Sequence, residues 1–436
     1  CFRRGRPISW RRGNGSGPEG SERMAEDQGG KGGDIIVRER YKLFPDTPLP
    51  HLDQKSAKAF RAQDRRDPNR PLFCLIADPD MPVRTNVLRN GRGIKVAGLM
   101  QMLESQVVDW PPMQRRTMAV VYEAPGGGRV MNPNGKSFQR FDDHTIAQTL
   151  LRPLHQALSE TAEQGLSHRA IRPDNLFWAA PDGSHVMFGD FATSPPAWDQ
   201  PVEFETIESG MAHPSARGSG GVSNDLYALG VTLMVCMLGE NPVAGRAPED
   251  IVRGKVARGS YQYLIGEERV PLPVMEVMRG LLADNIDDRW TLNELELWLS
   301  GRRQSPVQSK PPKRAPRAFH FKNKEFYALR NLALAFAEDR KEALKTITEG
   351  RLEIWLRRSM EESSFADAIS TAVRQYETER QKDREGAEET LISKVCIILD
   401  PDARYRSGSV EGRRGFNFVL SPAVTQSRPG WRSGRD

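Results

Sequence analysis

Cysteine is scarce in this chain: Cys1, Cys74, Cys236 and Cys396 are all that 436 residues contain, and they lie far apart. None has the paired spacing of a zinc ligand set or a disulfide framework, so buried thiols in a reducing, cytoplasmic compartment are expected. Long apolar runs are lacking as well. The longest, Leu226 to Gly239, covers 14 residues, whereas a membrane-crossing helix needs roughly 20; no membrane span is expected and the run reads as a buried helix. The sequence also lacks an internal repeat and any heptad register sustained for three turns, which excludes solenoids and coiled coils. What is present is 38% apolar and 28% charged, an ordinary globular balance. The length calls for more than one core.

The net charge of +6 is unevenly placed. Residues 1–23 hold six Arg and two Glu, a contribution of +4, which leaves +2 for the chain from Met24 onward. That opening stretch has no apolar signal core and no hydrophobic period. Residues 1–37 are therefore expected to be a disordered or mis-annotated extension, with Met24 as the true start. Residues 300–318 carry six basic residues, four Pro and no acid, the composition of an extended solvated linker assigned to 301–318. After it, Phe326, Leu329, Leu332, Leu334, Phe336 and Leu344, then Leu352, Trp355 and Leu356, fall near helical spacing. A helical domain is expected over 319–400 and a flexible tail over 401–436. The basic linker and the Arg-rich tail lack interleaved aromatics, so a nucleic-acid partner is not expected.

Chemistry enters with "HRAIRPDN" (168–175). Fifteen residues after Asn175, Asp190 and Phe191 open "DFA". Between them "NLFWAAPDGSHVMF" reads as two short strands joined at a Pro-Asp-Gly turn. Upstream, an apolar strand runs into the Gly-rich bend "EAPGGGRV", and Ile146, Leu150, Leu154 and Leu158 mark an amphipathic helix leading into the loop. Downstream, Asp225 opens the buried run and Arg289 lies in "NIDDRWTL". These landmarks, in this order, resemble the catalytic loop, the metal-binding motif and the closing helices of a bacterial serine/threonine protein kinase domain over residues 38–300.

The resemblance implies an α+β, two-lobed protein-kinase-like fold, with a small β-rich N-lobe and a helical C-lobe, followed by the linker and a small helical domain. It implies ATP and magnesium as cofactors, with Asn175 and Asp190 as metal-binding and cofactor-binding residues. Asp225 would brace the loop backbone, Arg289 would be a structural arginine, and His168 and Arg169 would brace the loop. Ala170, however, stands where the catalytic Asp belongs. The expected first strands carry no phosphate-cradling glycines, the expected third strand, "RPLFCLIADPDMPVR", has no Lys, and no Glu precedes Glu104 in the pairing-helix stretch. Ser215 stands where a Glu would pair with Arg289, which should then find another carboxylate. These losses imply weak or absent ATP and magnesium binding and a pseudokinase that scaffolds or regulates protein partners in signalling. The alternative is an atypical active kinase, in which Lys55, Lys58 or Lys95 supplies phosphate charge and Asp174 partly replaces the base.

Overall fold

The computed structural model describes residues 35–132, 138–302, 305–307 and 313–401. The expected tail beyond residue 401, most of the expected N-terminal extension and part of the linker lie outside the described residues. Ile35–Val37 does not: it forms a first strand, β1, ahead of the boundary placed at residue 38.

Alternating apolar residues build an antiparallel sheet from β1, β2 (Tyr41–Pro48), β3 (Ala57–Asp64), β4 (Leu72–Ala77), β5 (Met102–Trp110) and β6 (Arg115–Glu123), in the order β1-β2-β3-β4-β6-β5. Successive side chains on a strand point to opposite faces, and here each face finds its own core. Val37, Leu43, Phe60, Cys74, Trp110 and Val121 fill one side, where the sheet curls over itself. Phe73, Leu75, Val120 and Tyr122 on the other side join a larger core shared with the helices. Every residue of β4 is therefore buried. A short helix, α1 (Thr85–Asn90), lies between β4 and β5.

The larger part is helical. Thr145–Leu151 forms wide, π-type turns that continue into α2 (Arg152–Glu163). The four-residue apolar spacing survives the change of pitch: Ile146, Leu150, Leu154 and Leu158 are all buried. The hairpin β7 (Leu176–Trp178) and β8 (Val186–Phe188) forms across the Pro-Asp-Gly turn, with Gly183 at φ +69°. A short helix, α3 (Ile207–Gly210), precedes α4 (Val222–Leu238), which carries the buried run and stops at Gly239, where φ is +74° and a side chain would be strained. Helices α5 (Pro248–Arg258), α6 (Ser260–Ile265), α7 (Leu272–Leu281) and α8 (Leu292–Leu299) complete this part.

The region after the linker has a separate core. It opens with a hairpin, β9 (Phe319–Phe321) and β10 (Lys324–Phe326), which corrects the expectation that helix extends back through Phe326. The reason is local: Phe319 and Phe321 are buried while His320 between them is exposed, a period of two, and Lys322 adopts φ +46° in the turn. Then come α9 (Leu329–Glu338), α10 (Arg340–Thr348), α11 (Arg351–Trp355), α12 (Ser363–Glu379) and α13 (Arg384–Leu399). The whole is a mixed α/β chain with an N-terminal antiparallel sheet and a helical remainder, compatible with a two-lobed fold. No helix among the described residues is long and apolar enough to cross a membrane.

Candidate functional site

The loop between α2 and β7 is held from beneath by Asp225 at the start of α4. Its Oδ2 accepts from the His168 amide and its Oδ1 from the Arg169 amide, both at 2.7 Å. Burial pushes this carboxyl up to about 6, against the opposing pull of Arg169. Arg169 itself takes φ +57° and sends its side chain into the interior, where Nη2 meets Glu205 Oε2 at 2.8 Å with both side chains fully enclosed. His168 lies flat against Phe191, ring centroids 4.6 Å apart at 16°, with Phe188 on another side. Burial, and then the charge of Arg84, push it down to about 3. Both effects favour the neutral ring.

Ala170 offers the loop only a methyl group. Its amide donates to His168 Nδ1 and its carbonyl accepts from Asn175 Nδ2 at 2.9 Å. The nearest acid along the loop, Asp174, is engaged by Arg172 at 2.7 Å.

Asn175 and Asp190 are brought together, joined through the Asn175 Nδ2 bond to the Asp190 carbonyl at 2.8 Å. Asp190 is 5% exposed and its two side-chain oxygens are taken by protein donors. Oδ1 accepts from the Tyr122 hydroxyl and from the Ala192 amide; Oδ2 accepts from the Thr193 amide and from Thr193 Oγ1 at 2.5 Å. Burial first, then the charge of Asp190, holds the Tyr122 phenol far above its ordinary range, so the donated proton stays on tyrosine. Asn175 Oδ1 is buried with no hydrogen-bond partner. It faces Gly189, where even a Cβ would come within 2.3 Å. Magnesium takes about six oxygen ligands in a strict octahedron, and a carboxylate saturated with N–H and O–H donors offers it no free lone pair. These residues do not fit the ion in this arrangement, and among the described residues no group of three His, Cys, Asp or Glu side chains could hold a metal.

The sheet side of the site is apolar. The row of β4 that faces it is Phe73, Leu75 and Ala77, and Tyr122 stacks on Phe73 at 5.6 Å. Arg84, immediately before α1, donates from Nη1 to the carbonyls of His168 (2.8 Å) and Phe191 (3.2 Å) and from Nη2 to that of Ser167 (2.7 Å), while its amide meets the Ala192 carbonyl. Burial pushes this guanidinium down to about 10. The stretch between β2 and β3, which has no phosphate-cradling glycines, is tied down instead. Arg129 donates to the carbonyls of His51, Asp53 and Asp174, and Ser56 Oγ donates to Asp199 Oδ1 at 2.9 Å.

The three lysines expected as candidate phosphate contacts have different surroundings. Lys55 donates to the Asp199 carbonyl at 3.0 Å, Lys58 pairs with Asp53, and Lys95 is exposed. Burial, then the positive charge of Arg172, lowers the pKa of Lys55. The expectation of a carboxylate partner for Arg289 is corrected. It donates to the carbonyls of Ala283 and Asp284 and to Ser223, and stacks over Tyr227 at 5.2 Å. Ser215 is exposed and bonds His213. The stretch just before α3 is anchored from α5, where Lys255 Nζ donates to the carbonyls of Val202, Glu203 and Glu205 at 2.8–2.9 Å. Tyr122, Arg84, Glu205 and Lys255 were all missed by sequence reasoning.

No family model matches the chain. It is 22% identical over 165 residues to a calcium/calmodulin-dependent protein kinase type 1 from Macrobrachium nipponense, a match covering 36% of this chain and 48% of that kinase. The chain thus spans about half the length of this curated relative. The similarity is distant, and it is to a protein kinase.

Proposed function

We propose that residues 35–300 form a protein-kinase-like domain that acts by binding protein partners rather than by transferring phosphate: a pseudokinase that scaffolds or regulates a signalling complex, joined through 301–318 to a helical domain at 319–400. The observation that carries this reading is the state of Asp190. The carboxylate that would hold magnesium is taken up by Tyr122 and Thr193, beside a loop whose base position is Ala170. Losing the base alone costs typically about 10² to 10⁴ in rate. Losing the cation that shares the phosphate charge removes an electrostatic contribution that is usually larger, and β4 offers only apolar side chains there. Against the active alternative, Asp174 is engaged by Arg172 and Lys55 by a backbone carbonyl.

The test is magnesium-dependent ATP binding by calorimetry and transfer of labelled phosphate, on the full chain beside an Asp190→Ala control. No transfer is expected, and Ala170→Asp should not create any. Turnover that Asp190→Ala abolishes would overturn the proposal.

A further inference from the structure

Helix α9 has two working faces. Leu332, Ala333 and Phe336 point into the core of their own region. Arg330, Leu334 and Glu338, spaced four apart and so stacked on one stripe of the helix, point at α3 and α5. Arg330 Nη2 meets Glu208 Oε1 at 2.8 Å, Leu334 packs on the cluster of Ile207, Val252 and Val256, and Arg253 Nη2 meets Glu338 Oε1 at 2.9 Å. The order basic, apolar, acidic on the helix is thus answered by acidic, apolar, basic on the surface that receives it. Arg330 also holds Asp400, just past α13, through Nε at 3.0 and 3.1 Å, which fixes its aim.

We propose that the α3–α5 face is a recognition site for an amphipathic helix bearing Arg, Leu and Glu at four-residue intervals, and that α9 fills it in cis. The arrangement is helix-in-groove recognition read through evenly spaced anchors, with the terminal charges setting direction. Reversing the helix would place Arg330 against Arg253 and Glu338 against Glu208, so only one polarity fits. The site also sits on a segment that matters to the loop. Glu205, three residues before Glu208, encloses the Arg169 guanidinium, and Lys255 of α5 holds the same backbone. Occupancy of this face and the setting of the 166–178 loop are therefore linked through one stretch of chain.

The test uses the full chain and a fluorescent peptide of residues 326–341. Leu334→Asp drives a carboxylate into the apolar cluster and should vacate the face. The peptide is then expected to bind that variant and not the wild type, and hydrogen exchange over 200–217 should rise in the variant and fall again with peptide. Adding Glu208→Arg should weaken peptide binding about fivefold, and a peptide carrying Arg330→Glu should recover it. If Leu334→Asp does not fold, Leu334→Ala combined with Glu338→Arg serves as the vacated form. A folded, vacated variant that ignores the peptide, or binds it with no response to the charge at position 208, overturns the proposal. Equal binding to wild type overturns the claim that α9 is the resident occupant.

Discussion

Replacing Tyr122 with Phe removes one oxygen and leaves the ring stacked on Phe73. The phenol donates to an almost fully enclosed side chain, and taking one partner from a buried polar group costs about 1–3 kcal/mol. Asp190 keeps the donors from Ala192 and Thr193, so the lower half of that range applies. We expect a loss of about 2 kcal/mol, a fall in Tm of roughly 4 to 8 °C for a cooperative unit of this size. The decisive assay is a double-mutant cycle with Asp190→Ala, read by denaturant unfolding. In the Asp190→Ala background the Tyr122 hydroxyl has lost its acceptor and is itself buried, so deleting it should cost nothing or stabilise. The coupling energy should then approach the full effect of about 2 kcal/mol, the size expected for contacting groups. An equal penalty for Tyr122→Phe in both backgrounds would refute the bond, and with it the reason for holding that Asp190 is withheld from a metal.

Other consequences follow from the same geometry. Glu205→Ala strands the Arg169 guanidinium in a fully enclosed site and should cost about 3–5 kcal/mol, with Glu205→Gln losing markedly less because it keeps an acceptor; equal losses in a urea titration would show that the charge is unimportant. Acid sensitivity should trace in part to His168. Its folded pKa of about 3 lies below the ordinary 6.5, so the unfolded chain binds the extra proton and stability falls as pH drops through that window. Asp225, held near 6 in the fold against 3.8, works in the opposite sense between those two values. His168→Phe keeps the stack on Phe191 and leaves Asp225 alone, so it should lose less stability than wild type between about pH 7 and pH 5; identical slopes would contradict this.

The sequence was most readable where a pattern is local and repeated. A four-residue apolar spacing marks the helix through Leu158, an unbroken apolar run marks α4, and a Pro-Asp-Gly turn marks the β7–β8 hairpin, because each encodes its own geometry within a few residues. The β9–β10 hairpin was hidden, since its three-residue strands are too short for alternation to stand out from the helical spacing that follows. Most of the site was hidden for a different reason. Arg169 and Glu205 are 36 positions apart, and Arg84 and His168 are 84 apart; no spacing rule links them. Tyr122 in an apolar strand reads as core, and nothing local says that its hydroxyl reaches Asp190. Missing residues, by contrast, were visible at once: Ala170 and the lysine-free β4 need no partner to be noticed.

Arg84 also has a mechanical consequence. One guanidinium, together with its own amide, joins the sheet-bearing part of the chain to four backbone carbonyls spread over residues 167–192. Carbonyl acceptors are indifferent to substitution at their own positions, so this joint is insulated from side-chain change on the opposite side. It is also all-or-none: rocking the sheet away from the loop must part four bonds together, three of them to a buried cation. A rivet of this kind makes the sheet and the loop one mechanical unit.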